Sequence, residues 1–419
     1  MARFTGLLGI VLILGVAFLM SNNKRKINYR LVGSGLLLQL GLALLILKVE
    51  PVRKFFQLLG HGMEKIEGFA REGAKFVLGG TLPDKDELEK VFGAHRGFIF
   101  AFNIPATIIL VCVIVAILYH IGLMQRVVAV IAKGVNLIMR VSGAEALSNV
   151  ASAFVGQVEA QVMIRPYLEG MTKSELLSSM SGSMACIAGG ILIVYVGFGV
   201  KAEYLIAASL MAAPAALVIS KIVYPETEVP QTQGKVSIEI KSHYANLIDA
   251  ISHGAADGMK ISINVIAMLI GFIALIALVN YILVKINALL GNPIPGLSLN
   301  MIFGWIFWPF AYAMGVPYQD VSKVATLMGQ KMTINEFVAY LNLRDIMSTL
   351  TPKGLAIVSF ALCGFANFSS VGMQIGGIGE LAPSRRADLA KLGIRALICG
   401  TLASYLSATI AGIVLGDKF

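Results

Sequence analysis

The sequence predicts an all-α integral membrane protein with about eight transmembrane helices, one interfacial helix and two opposed re-entrant helical hairpins arranged as inverted repeats. Three observations carry this. Apolar residues make up 57% of the 419-residue chain and charged residues only 14%, against about 25% charged in soluble domains. The apolar residues fall in long runs rather than in short alternating segments. Two apolar regions, 127–173 and 297–346, are interrupted by charges, glycines and prolines, and neither makes a clean span.

The spans read as 4–20, 31–48, 97–124, 176–200, 203–222, 261–285, 354–378 and 395–416. Each is long enough to cross a hydrocarbon layer of roughly 30 Å. The first apolar run resembles a signal peptide, but no small-x-small cleavage pattern follows it. Lys24, Arg25, Lys26 and Arg30 flank its C-terminal side. That positive cluster predicts a retained first helix with its N-terminus outside. Residues 51–93 mix Lys, Glu and Arg with Phe, Leu and Ile, and predict a helix lying at the interface followed by a polar loop. The polar stretch 223–256 is the longest solvated connection and divides the chain in two.

This order predicts scaffold helices over 1–50, an interfacial segment over 51–93, and a scaffold helix over 94–125. A first transport repeat follows over 126–222, a cytoplasmic connection over 223–256, a scaffold helix over 257–296, and a second transport repeat over 297–419. Basic residues check the topology: Arg126, Lys133, Arg140, Arg385, Arg386, Lys391 and Arg395 all fall on the cytoplasmic side if the N-terminus is outside. The first hairpin then enters from the cytoplasm and the second from outside. Irregular backbone at such depth is tolerated only where it is buried in protein or lines a watery cavity.

Charge places the function. Glu159 and Glu336 lie in the interrupted regions, and a carboxylate at membrane depth is expensive enough to be a functional-site hypothesis by default. About thirty residues beyond each comes an apolar run broken by small and polar residues, 183–200 and 359–373. A pair of interrupted segments at corresponding positions of two halves is the mark of a secondary transporter. The net charge of +10 does not indicate nucleic acid, because the basic residues sit in short loops without interleaved aromatics.

Cys112, Cys186, Cys363 and Cys399 lack metal-ligand spacing and read as unpaired packing residues, two of them in the broken helices. His61, His95, His120, His243 and His253 form no ligand pair. Trp305 and Trp308 read as anchors or packing, and Glu145 and Arg165 as hairpin-end residues at the interface, paired or snorkelling. Gln157 can be read as a cap on a half-helix, and Asn367 with Ser370 as satisfying an unwound backbone, the favoured reading for an isolated Asn or Ser in a membrane helix. No nucleophile–base pair marks a membrane-embedded enzyme. A carrier of dicarboxylates would meet repulsion from Glu159 and Glu336.

Three segments carry a resemblance: GQVEAQVMIRPY (156–167), INEFVAYLNL (334–343) and IVSFALCGFANFSS (357–370). In order and spacing they resemble the signature motifs of the concentrative nucleoside transporter family, in its short bacterial form. The resemblance implies an ion-coupled importer of nucleosides such as uridine and adenosine in the bacterial inner membrane. It implies a homotrimer working by an elevator mechanism. It also implies that Gln157 and Glu159 bind the nucleobase, that Glu336, Asn367 and Ser370 bind ribose hydroxyls, and that Phe365, with Ile263, packs near the base. Val158 departs from the Thr, Ser or Asn usual at its position. Sodium-coupled members use an Asn, a small polar residue and backbone carbonyls, which correspond here to Ser152, Cys186, Val155 and Ile187. Ser152 is short, and a thiol is a poor ligand for a hard cation. A buried carboxylate can instead carry a proton, so the expectation leans to proton coupling, with sodium as the alternative. Neither an organic cofactor nor a structural metal is expected.

Overall fold

The computed structural model describes residues 2–92, 99–234 and 244–416. The expectations for His95 and His243 lie outside these residues. Among the described residues there are helices and loops but no strand.

Two apolar helices open the chain, α1 (Ala2–Leu19) and α2 (Tyr29–Lys48). The Asn28 side chain starts α2 by accepting from the Leu31 N–H. The amphipathic stretch becomes one long helix, α3 (Glu50–Leu78), with Pro51 in its first turn. Phe55, Leu58, Phe69 and Phe76 are exposed along it, as expected of a helix laid on the membrane surface. A short α4 (Lys85–Phe92) follows, and then α5 (Phe100–Asn103) and α6 (Pro105–His120), which divide one span at Pro105.

From here the chain runs through the same sequence of elements twice. The first set is α7 (Leu123–Met139), α8 (Gly143–Ala151), α9 (Glu159–Val162), α10 (Arg165–Leu168), α11 (Lys173–Ala185), α12 (Gly189–Gly197) and α13 (Ala202–Val223). A long helix, α14 (Leu247–Leu289), separates the sets. The second set is α15 (Leu299–Ala313), α16 (Tyr318–Thr333), α17 (Glu336–Ile346), α18 (Pro352–Leu362), α19 (Phe368–Leu381) and α20 (Arg386–Leu415). Each set is a leading helix, a hairpin, a broken helix and a long apolar helix. The step along the chain that carries the cap Thr172 onto Thr351 also carries Ala188 onto Asn367, so the half-helices of the two broken helices start in register, while α18 stops two residues short of the position that matches the end of α11.

Three boundaries differ from the sequence reading. The polar loop expected to follow the interfacial helix within 51–93 is in part helical, as α4. The regions 127–173 and 297–346 are each a separate helix followed by a hairpin. Arg140, in left-handed backbone at φ 55°, ends α7, and a capping box of Ser142 and Glu145 starts α8. Gly315 at φ 88° and then Pro317 end α15 and begin α16. The solvated connection is also shorter than 223–256. Asn246 caps α14, and the charged residues that read as loop form its first turns, with His253 3.4 Å from Asp249. At about 1.5 Å per residue, the 43 residues of α14 reach well beyond the hydrocarbon layer.

The helices α13 and α20 are buried almost all round and form the core against which both broken helices pack. Glu145 is not at the interface: it is 1% exposed, 2.8 Å from the buried ammonium of Lys221 on α13. Lys221 also meets Glu226 at 3.2 Å and Ser174 at 2.9 Å. Buried charges of this kind persist only when paired and hydrogen-bonded. Arg165 is exposed, and Trp308 stacks on Tyr312 at 5.3 Å between ring centroids.

Candidate substrate-binding site

The site is built on two interruptions in otherwise helical backbone. After α11 the chain turns extended at Cys186, and α12 starts at Gly189. After α18 it turns out at Cys363, and α19 starts at Phe368. The two breaks touch. The Phe365 N–H donates to the Cys186 carbonyl at 3.2 Å. Gly364 sits at φ 136°, and a Cβ there would stand 2.6 Å from the Ala185 carbonyl oxygen, so only glycine fits both the angle and the space. Both thiols turn onto α13: Cys186 donates to the Ser209 carbonyl at 3.7 Å, and Cys363 lies 3.6 Å from the Ser209 hydroxyl. All four cysteines are free.

Half-helices that begin inside the protein present unpaired N–H groups and a positive dipole end. Asn367 caps α19: its Oδ1 accepts from the Ser370 N–H at 2.9 Å and from the Ser369 hydroxyl at 2.7 Å. The same cap residue donates its Nδ2 to Glu336 Oε2 at 3.0 Å. Glu336 is the first residue of α17, at the tip of the second hairpin, where Asn335 caps the helix. Its other oxygen accepts from the Tyr195 hydroxyl at 3.3 Å. From the first hairpin, Gln157 donates to Ser370 at 3.5 Å and accepts from Gln374 at 3.4 Å, while Gln374 also donates to the Met180 carbonyl at 3.2 Å.

Glu336, Asn367, Ser370 and Gln157 are thus one buried hydrogen-bonded group, drawn from both hairpins and the second break. An ionised carboxylate has only acceptor sites, and an amide offers both kinds. Such a group can take two neighbouring hydroxyls and reject a molecule that lacks them.

Glu159 stands apart from that group. It is solvent-exposed and faces a cleft of about 280 Å³ shared with Tyr119, Phe154, Tyr244, Asp257 and Ile261. Its carboxylate folds back over Gly156, where a Cβ would meet it. Val158 packs against α19 at Gly377. Phe365 is half-buried beside the break. Ile263 is 57% exposed, whereas Ile261, on the same helix, lines the cleft.

At the first hairpin tip the Ser152 hydroxyl donates to the Ser148 carbonyl at 2.7 Å and meets the Ser183 hydroxyl at 2.9 Å. Val155 and Ile187 are buried nearby, and the Cys186 sulfur points away to α13. Among the described residues no His, Cys, Asp or Glu cluster could hold a metal. Tyr195 and Gln374 escape a reading of the sequence. Tyr195 looks like one more apolar-run aromatic, although Gln374 is a lone amide in such a run.

A family model described as the C-terminus of a Na+-dependent nucleoside transporter matches residues 204–412, and the corresponding N-terminal model matches residues 8–81. A model described as nucleoside recognition matches residues 101–202. The chain is 41% identical to an uncharacterised transporter, YutK, of Bacillus subtilis, over 98% of this chain and 99% of that protein. It is 36% identical to the nucleoside permease NupC of Helicobacter pylori, over 97% of each. Its fold is similar to CNTnw in an inward-facing substrate-bound state, with a TM-score of 0.93, 38% identity, and coverage of 100% of this chain and 99% of that one. The chain belongs to the concentrative, Na+-dependent nucleoside transporter family.

Proposed function

We propose that this protein imports nucleosides by an elevator mechanism, coupled to a cation gradient. The observation that carries the reading is the buried group of Glu336, Asn367, Ser370 and Gln157, which ties both hairpins to the unwound backbone. A ligand held there is gripped by the whole moving unit and travels with it. Glu336, Asn367 and Ser370 take the ribose hydroxyls. Gln157, Glu159 and Phe365 address the base, with Glu159 on the side of the solvent-filled cleft. Ile261, which lines that cleft, is better placed for this than Ile263.

The coupling cation is a proton in our reading, with sodium the alternative that the family description favours. Ser152 and the Cys186 thiol already have protein partners. The protein works as a homotrimer in the bacterial inner membrane with both termini outside. Uptake of labelled uridine and adenosine into proteoliposomes, under separately imposed sodium and proton gradients, tests the whole reading. Accumulation under either gradient supports it, and none under both refutes it. A counterflow assay that returns the solute unchanged distinguishes carrier from enzyme.

A further inference from the structure

Lys331 is used by nothing described above, yet it is a fully buried lysine at membrane depth, at 0% exposure in the last turn of α16. Its ammonium donates to the Ala361 carbonyl at 2.9 Å and lies 5.9 Å from the centre of the Tyr405 ring. No carboxylate pairs with it among the described residues. A buried charge without a direct ion-pair partner is costly, so the site that holds it has to supply compensating negative potential. The Ala361 carbonyl, in the last turn of half-helix α18, does so.

The comparison between repeats shows why that carbonyl is open to a side chain. The matching of the two broken helices sets Gly182 against Ala361 and Cys186 against Phe365. In the first repeat the Cys186 N–H closes onto the Gly182 carbonyl at 3.2 Å. In the second, the Phe365 N–H is spent across the molecule on the Cys186 carbonyl, so the Ala361 carbonyl is left for a side chain, and Lys331 takes it. The first hairpin meets its own half-helix through a neutral chain, Ser152 to Ser183 to Gln161 to Ser179. One repeat is closed by hydroxyls and the other by a fixed positive charge.

We infer that Lys331 is a positioning residue for substrate: its ammonium locks the second hairpin to the open carbonyl end of α18 and thereby holds Glu336, five residues on, against Asn367. The inference rests on the reading of Glu336 and Asn367 as the ribose-binding edge.

The test compares Lys331→Met with Lys331→Arg in purified protein, reading the Kd for uridine by calorimetry. Losing a charge-assisted hydrogen bond that aligns the site is expected to weaken binding about tenfold or more in the methionine variant, while the arginine variant stays within about threefold of wild type. A packing role predicts the reverse, because methionine fills the space and arginine overfills it. A silent Lys331→Met, or an Lys331→Arg that is at least as harmful, overturns the inference. If Lys331→Met does not fold, Tyr405 supplies the second measurement. Among the described residues the buried Tyr405 hydroxyl has no hydrogen-bond partner, so Tyr405→Phe keeps the ring that the ammonium faces. Tyr405→Leu removes the ring and is expected to weaken uridine binding about threefold relative to Tyr405→Phe. Equal affinities overturn the inference. Wild-type protein that binds no nucleoside removes the substrate reading and this role with it, whereas tight wild-type binding with an unaffected methionine variant removes this role alone.

Discussion

Glu336 receives two side-chain donors, one on each oxygen, from the amide of Asn367 and the hydroxyl of Tyr195. In Glu336→Gln one acceptor becomes a donor and faces one of these groups. The charge is lost as well, and hydrogen bonds to a charged group contribute about 1.5–3 kcal/mol. Uridine affinity should therefore fall at least about tenfold, measured by calorimetry on folded protein. Undiminished binding would take Glu336 out of the site. Selectivity follows from the same groups. Uridine should displace labelled uridine while uracil does not, because without ribose hydroxyls the carboxylate and amide are left unmatched. Equal competition by the base would overturn the assignment of Glu336, Asn367 and Ser370. Gly364 answers to backbone geometry instead. Its φ of 136° and the 2.6 Å approach to the Ala185 carbonyl leave no room for a side chain. Gly364→Ala should cost at least about 1–3 kcal/mol and lower the melting temperature.

At the level of elements, what decides function is how each hairpin is tied to a long helix. The capping box at Ser142 starts α8, and its Glu145 also reaches Lys221 on α13 at 2.8 Å. One carboxylate therefore both begins the hairpin and anchors it. Lys221→Met leaves Glu145 buried and unpaired, which costs about 3–5 kcal/mol. Adding Glu145→Gln should recover a large part of that loss, because the stranded charge disappears. Thermal unfolding of the two variants checks this, and a double variant no more stable than Lys221→Met would show that the pair is not coupled. At the start of the second hairpin Asp320 accepts from the Thr351 N–H at 3.0 Å. Toward its tip it carries a buried positive charge, Lys331, on the Ala361 carbonyl.

Across the whole molecule, the matched halves bring the two breaks together on α13 and α20, so hairpins and broken helices form one body. The cation that moves this body is the property least constrained by geometry. With protein partners already on Ser152 and with the Cys186 thiol turned to α13, proton coupling is the expected outcome. Uridine uptake should follow an imposed pH gradient without sodium and collapse with a protonophore. Uptake that tracks sodium at fixed pH and ignores the protonophore would reverse this. Native mass spectrometry in mild detergent should show trimers, and monomers alone would count against the assembly.

Much of this protein is written in local pattern. The spans follow from apolar runs, the interfacial helix α3 from its mixed period, and the candidate site from two carboxylates placed where hydrocarbon should be, Glu159 and Glu336, with Gln157, Asn367 and Ser370 added by the family resemblance. These are legible because a membrane makes each misplaced polar group expensive, so the expense itself is the signal. What sequence could not assign is which of them meet. Glu159 and Glu336 look equivalent in the chain, yet one faces an open cleft and the other is buried beneath Tyr195 and Asn367. Glu145 reads as an interfacial residue and is instead a buried partner of Lys221, some seventy-six positions away. Tyr195 is indistinguishable from a packing aromatic until its hydroxyl is seen against Glu336. Lys331 reads as one more interruption until the Phe365 N–H is found bound elsewhere. Burial cost acts on single residues and is visible in order along the chain. Pairing acts between residues from different repeats, and only the tertiary arrangement decides it.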